Sequence, residues 1–162
     1  MSHRRPTAQA AFTLVEILIV VVILGILASI VLPQFTDATA ASKTAVAAST
    51  TRTVQAKIVE KYATSGSYPA TIEDGWFVEG ALPLNPLATD QTDPMIFYDT
   101  SATAAVTHPA AKTVTVNGAF WYNPANGAFR SLVPAQSSPA ETLELYNKAN
   151  STDLLTYGAT TD

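Results

Sequence analysis

Residues 12–32 read FTLVEILIVVVILGILASIVL, an almost wholly apolar run whose polar members are Thr13, Glu16 and Ser29. As a helix rising 1.5 Å per residue, this run reaches about 30 Å, which is the thickness of a bilayer's hydrocarbon core. It is longer than the apolar core of a secretory signal peptide, and more apolar sequence follows the small residues at its far end. We therefore predict a membrane-spanning helix over residues 12–33.

The charges that flank the run predict its orientation. Residues 1–11 hold Arg4 and Arg5 and no acid, whereas the first base beyond the run is Lys43. Positive charge is retained on the cytoplasmic side of a membrane. We therefore expect a cytoplasmic N-terminus, with the rest of the chain facing outward.

Glu16 is the unusual member of the run. Ionised groups inside an apolar span are rare, cost energy and usually have a partner. A plain membrane anchor has no use for such a group. The alternative interpretation is a tolerated charge near the helix end that reaches the membrane interface.

Residues 11–28, AFTLVEILIVVVILGILA, resemble the N-terminal signature of type IV pilins and type II secretion pseudopilins. The resemblance implies that a prepilin peptidase cuts between Ala11 and Phe12 on the cytoplasmic side and N-methylates the new terminus. Residues 1–11 would then be a cytoplasmic leader, and residues 12–33 would be both membrane anchor and filament core. Ala11 stands where the family usually has Gly, so we expect slower or retained cleavage.

The resemblance also implies roles for residues inside the helix. Glu16 matches the family's acidic residue that pairs with the mature terminal amine, here on Phe12. Either charge left unpaired in an apolar bundle would cost several kcal/mol, so this pair would help to set the register. Gly25 and Pro33 match helix-loosening residues of the family, and we expect the helix to curve or partly melt near both. Gly and Pro are also ordinary in membrane helices.

Residues 34–65 are expected to continue the helix as an amphipathic segment that ends at Gly66. Its narrow apolar stripe predicts one face packed on a small head. This face carries Ala47, Val54, Ile58 and Tyr62.

Residues 66–162 are expected to form a periplasmic or extracellular globular head with a loop, a β-meander and a C-terminal tail. Strands are predicted at 95–98, 113–116, 119–122 and 128–132, joined by turns at Asn117-Gly118 and at residues 123–127. A short helix is predicted over 140–149. The fold class is α+β and pilin-like, with a long N-terminal helix packed on a small antiparallel sheet.

The composition argues against catalysis and against nucleic-acid binding. The chain has no Cys, its histidines are His3 and His108, and it contains no serine-hydrolase elbow, Walker loop or zinc-protease motif. The net charge is −4, with no basic cluster longer than Arg4-Arg5. We therefore expect no enzymatic activity and no nucleic-acid partner.

We expect no cofactor, with calcium as the alternative. Major pseudopilins of type II secretion hold calcium in a head loop, and Asp90, Asp93 and Asp99 lie before and at the end of the first predicted strand. Calcium needs about six to eight oxygen ligands, and loop acids without an EF-hand pattern are more often solvated turn residues.

One aromatic residue is a candidate for a partner contact. Alternation along a strand places Phe120 and Tyr122 on one face and Trp121 on the other. Trp121 could therefore meet a partner, and the alternative is that it covers the loop around Trp76.

The sequence thus predicts a structural subunit of a type IV pilus-like filament. A type II secretion pseudopilin is favoured, since Tyr68-Pro69 and the absence of Cys resemble those heads. The first alternative is a major or minor pilin of a type IV pilus, serving adhesion, motility or DNA uptake. The second is a single-pass, membrane-anchored periplasmic binding protein that does not polymerise.

The resemblance implies the location and the partners of such a subunit. The location is the bacterial inner membrane, and after assembly an extracytoplasmic filament. The partners are other copies or minor pseudopilins, membrane lipid, a prepilin peptidase, and the inner-membrane assembly platform with its ATPase.

Overall fold

The computed structural model describes residues 12–78, 80–88, 95–116 and 118–162. Helix α1 spans Leu14–Ser65 without interruption, which confirms the predicted long N-terminal helix. The helix ends where Gly66 adopts a φ of +76° and donates its N–H to the Tyr62 carbonyl at 2.8 Å. The chain divides into two compact units, Met1–Ala40 and Ala41–Asp162, and α1 contributes to both.

The head contains one three-stranded sheet in the order β1 (Ile96–Tyr98), β2 (Phe120–Asn123) and β3 (Ala128–Ser131). Strands β2 and β3 form the predicted antiparallel hairpin. Strand β1, however, runs parallel to β2, so the sheet is mixed and the prediction of an antiparallel sheet was wrong in this respect. Parallel neighbours need a long crossover connection, which residues 99–119 provide.

Residues 113–116 do not form the predicted strand. Thr113 makes an isolated bridge to Val133, and Thr115 makes one to Gly118. Asn117, the first residue of the predicted turn, lies outside the described residues. The place beside β2 belongs to β1, and Gly118 permits the close approach, since a Cβ there would lie 3.0 Å from the Phe97 nitrogen.

Helix α2 spans Pro139–Asn150 and confirms the short helix predicted near the C-terminus. Its N-terminus is capped by Ser138, whose hydroxyl accepts the Glu141 N–H at 3.2 Å. Its C-terminus is closed by Ser151 in the left-handed conformation, with a φ of 55°.

Three of the four residues of the predicted apolar stripe of α1 are buried in the head, whereas the fourth, Tyr62, is 41% exposed. Val54 and Ile58 are fully buried in a cluster with aromatic side chains of β2 and β3. Ala47 belongs to a second cluster with Tyr146 and neighbouring residues of α2. Full burial of a Val or Ile side chain stabilises a fold by about 1.5–3 kcal/mol, so this stripe attaches α1 to the head.

Two amide side chains close the outer edge of β3. Gln55 of α1 donates to the Gly127 carbonyl at 2.8 Å and accepts the Phe129 N–H at 3.0 Å. Asn150 of α2 accepts the Ser131 N–H at 2.8 Å and donates to the Ser131 carbonyl at 2.9 Å. Each amide takes the place of a neighbouring strand and so protects the edge.

Candidate functional site

The apolar run at the start of α1 is exposed along its whole length in the isolated chain. Its large apolar side chains are between 43% exposed at Val31 and 82% exposed at Leu14. Among the described residues, α1 is the one helix long and apolar enough to cross a membrane by length and composition. So large an apolar surface needs lipid or other apolar helices around it.

Thr13 and Glu16 form a capping box at the first turn of α1. The Thr13 hydroxyl accepts the Glu16 N–H at 3.2 Å. In return, Glu16 Oε2 accepts the Thr13 N–H at 2.8 Å and the Thr13 hydroxyl at 2.9 Å. The box satisfies donors that a helix N-terminus leaves without partners.

The capping box fixes the position of the Glu16 carboxylate, whose residue lies four positions after Phe12 in the chain. A negative charge at a helix N-terminus is also favoured by the helix dipole. The role of Thr13 was not predicted, although the pattern Thr-x-x-Glu before an apolar run is itself a signal for a capping box. Thr13 is therefore a positioning residue for the carboxylate.

Replacing Thr13 tests this role. In Thr13→Val the branched shape is kept and the hydroxyl is lost, which should weaken the cap by about 1 kcal/mol. We expect amide hydrogen exchange at Glu16 to accelerate about fivefold in detergent micelles. Thr13→Ser keeps the hydroxyl and should exchange as the parent does, whereas equal rates in all three proteins would contradict the role.

The other predicted site residues are not part of this box. Ala11 and the rest of the predicted leader lie outside the described residues. Phe12 precedes α1 and is 81% exposed. Helix α1 continues through Gly25 and Pro33, although Pro33 cannot donate a backbone hydrogen bond within the helix. The flexibility expected at both residues stays a prediction.

The predicted calcium candidates are divided by the structure. Asp90 and Asp93 lie outside the described residues. Asp99 Oδ1 accepts from the Ser101 hydroxyl and the Ala102 N–H at 2.8 and 3.1 Å. Its Oδ2 accepts the Trp121 indole N–H at 3.2 Å. In the part of the chain that the structure describes, no group of three His, Asp or Glu side chains could hold a metal ion.

Trp121 lies inside the head. It is 1% exposed and packs with Ala128 and Leu132 on the face of β2 opposite to Phe120 and Tyr122. The predicted alternation of faces is therefore confirmed. Trp121 is covered by its own chain, which argues against the partner contact considered for it.

A buried polar cluster, which the sequence analysis missed, holds the C-terminal segment against the head. His108 is fully buried, with Nε2 at 2.7 Å from Asp162 Oδ1 and Nδ1 at 2.9 Å from the Tyr146 hydroxyl. Arg130 Nε donates to His108 Nδ1 at 3.2 Å. Because Nδ1 accepts this bond, the ring proton lies on Nε2 and is donated to Asp162.

Lys112 is also fully buried in this region, like His108 and Tyr146. Its ammonium donates to the Pro109 carbonyl and, at 2.6 Å, to the Ala159 carbonyl. Its Nζ also lies 5.2 Å from the Tyr146 ring centroid, which is a cation–π contact. These contacts join the loop before Lys112 to the C-terminal segment.

The pKa values in this cluster reflect burial. Desolvation lowers the pKa of Lys112 to about 8 and raises the pKa of Tyr146. Burial also lowers the pKa of His108, although its bond to Asp162 opposes this effect. The same bond lowers the pKa of the Asp162 carboxyl. His108 is therefore neutral at pH 7. The cluster has a structural role, because it holds the C-terminal segment against the head.

The depressed pKa of Lys112 predicts a pH dependence of stability. Between pH 8 and 10.5 the unfolded chain binds more protons than the folded chain, so the free energy of unfolding rises with pH. We expect a rise of about 1–2 kcal/mol between pH 7.5 and 9.5, measured by denaturant unfolding of the detergent-solubilised full chain. Lys112→Met should lack this rise. The same rise in both proteins would assign it to another group.

Comparison with known proteins concerns the N-terminal part of the chain. A family model described as the prokaryotic N-terminal methylation motif matches residues 6–32. No solved structure matches the chain. The matched segment contains the Thr13–Glu16 capping box and the exposed apolar run, and the motif belongs to structural proteins. The chain therefore carries the N-terminal signature of type IV pilins and pseudopilins, on a membrane-anchoring helix followed by a small α+β head.

Proposed function

We propose that this type IV pilin-like protein polymerises through its N-terminal helix and serves as a pseudopilin of a type II secretion system. The observation that carries the proposal is a carboxylate, Glu16, held at the first turn of a helix whose apolar run is exposed and lies within the methylation motif. Neighbouring helices of a filament would bury the apolar surface and supply the carboxylate with a partner.

The partner that we propose is the terminal amine created when the chain is cut between Ala11 and Phe12. This amine would be cationic, and in an apolar bundle it would attract the Glu16 of a neighbouring subunit. The Thr13 bonds support this role, because they satisfy the carboxylate within its own chain before assembly. Glu16 would then exchange an internal partner for a charged one.

The choice of a secretion pseudopilin rests on the head. The chain has no Cys, so no disulfide closes its head, and in this respect it resembles pseudopilins more than disulfide-closed adhesive pilins. Tyr68 stacks on Tyr62 with ring centroids 4.3 Å apart, and the Pro69 carbonyl accepts the Tyr122 hydroxyl at 2.7 Å. The Tyr-Pro segment therefore has a structural role at the end of α1, consistent with its resemblance to pseudopilin heads.

The proposal implies a route to the filament. The precursor would insert in the inner membrane with residues 1–11 in the cytoplasm and the head in the periplasm. A prepilin peptidase would process it, and an assembly platform with its ATPase would extract it from the lipid into a filament, alone or with minor subunits. No cofactor takes part in the proposed function.

A deletion and complementation experiment tests the proposal. The source strain lacking this chain should lose secretion of exported proteins into the medium, and the intact chain should restore it. Loss of surface pili or of twitching motility with normal secretion would instead favour the type IV pilus pilin. If the chain acts only as an anchored monomer, the strain that lacks it should keep both its filaments and its secretion.

A further inference from the structure

The charges of the second compact unit are divided between α1 and the rest of the head. Residues 41–65 hold four bases and one acid, whereas residues 66–162 hold three bases and ten acids. Such an asymmetry creates surfaces of opposite sign on one molecule. Opposite surfaces can attract each other between two copies of the same chain.

The lysines of α1 occupy one side of the helix. At 3.6 residues per turn, Lys43, Lys57 and Lys61 fall within about 40° of one another. We call these three residues the lysine face. The buried stripe of Val54 and Ile58 lies beside it, and Arg52 lies on the far side of that stripe, about 180° from Lys43.

The Arg52 side of the head is the side of α2. Arg52 donates to the Ser151 hydroxyl at 2.7 Å, and Ser151 is the residue that closes α2. Three exposed acids belong to α2 and the residues just after it. We call them the acidic face; they are Glu141 and Glu144, with Lys148 between the two around α2, and Asp153 after the helix.

We propose that the lysine face of one subunit docks against the acidic face of a second copy in the filament. This inference rests on the polymerisation proposed above. The contact joins two different surfaces, one on α1 and one on α2 with the residues after it, so it is head-to-tail and can repeat from one copy to the next. Repeated contacts of this kind generate an open helical array.

Lys61 lies over the Trp76 ring, with Nζ 5.1 Å from its centroid. This contact and the ion pairs that these residues make within one chain do not prevent the contact between copies. Lys57 pairs with Glu60 at 2.8 Å and Glu144 pairs with Lys148 at 2.7 Å, and all four side chains are more than a third exposed. Exposed pairs of this type are worth about 0–1 kcal/mol. They can exchange for partners on a neighbouring subunit at little cost.

Charge reversal with rescue tests the inference in cells that assemble the parent chain. One variant carries Lys43→Glu, Lys57→Glu and Lys61→Glu, and a second carries Glu141→Lys, Glu144→Lys and Asp153→Lys. Sheared filament is quantified against total protein for the parent, each triple variant and the six-fold variant. Thermal unfolding of each purified full chain identifies any variant that fails to fold.

We expect each triple variant to lose at least about tenfold of its filament, and the six-fold variant or a mixture of the two triples to recover it. Equal filament yields of the parent and both folded triples would overturn the inference and leave the proposed function standing. A parent that is processed but forms no filament would overturn the proposed function and the inference with it. Folded triples that stay defective in combination would also reject the pairing of the two faces.

Discussion

Filament assembly should be lost in Glu16→Ala, while membrane insertion is retained. The substitution leaves the amine of Phe12 without a counter-charge in the apolar bundle, and breaking a buried pair in this way costs about 3–5 kcal/mol. This cost corresponds to at least about a hundredfold loss of assembled material. The measurement is the ratio of sheared filament to membrane-bound subunit in cells that express the prepilin peptidase.

Asp37→Ala is the matched control for this variant. Asp37 is also an exposed carboxylate of α1, but it lies beyond the apolar run. We expect filament yield to be unchanged in this control. If Glu16→Ala assembled as well as Asp37→Ala, the carboxylate would have no role in assembly and the monomeric anchored head would become the better account.

A large loss of stability is expected for Gly127→Ala in the turn between β2 and β3. Gly127 has a φ of +72°, which is unfavourable for a residue with a side chain. A Cβ at this position would also overlap the Tyr68 ring, which is held by its stacking on Tyr62. We expect the free energy of unfolding to fall by about 2–4 kcal/mol, measured with denaturant on the detergent-solubilised full chain.

Gly158→Ala is the control for the turn variant. No atom lies within 4 Å of a Cβ added at Gly158, so this change should alter the free energy of unfolding by less than about 0.5 kcal/mol. Equal stability of both variants would mean that Tyr68 does not pack on the turn as described. Partial rescue of Gly127→Ala by Tyr68→Ala would separate the ring contact from the backbone strain.

Local sequence patterns predicted the elements whose partners are near in the chain. The apolar run and its helical continuation predicted α1, and alternation around a short turn predicted the β2–β3 hairpin. The position of β1 was not predictable in the same way. Its parallel pairing depends on a crossover of residues 99–119 and on the close approach at Gly118, and neither has a periodic signal.

The candidate site was predictable in part. Glu16 stands out because it is a charge in an apolar run. Its position, however, depends on the Thr13 hydroxyl, and only the capping-box pattern distinguishes this hydroxyl from that of an ordinary polar residue. The cluster around His108 joins three distant parts of the chain. Only the folded structure brings such residues together, so the sequence analysis could not find the cluster.

The most direct test of the account is the intact mass and N-terminal sequence of the membrane-extracted protein, with and without a co-expressed prepilin peptidase. We expect a chain that begins at N-methylated Phe12 when the peptidase is present and retains residues 1–11 when it is absent. A chain that retains residues 1–11 under both conditions would contradict the account, because without the amine of Phe12 the Glu16 carboxylate has no partner to find in a filament.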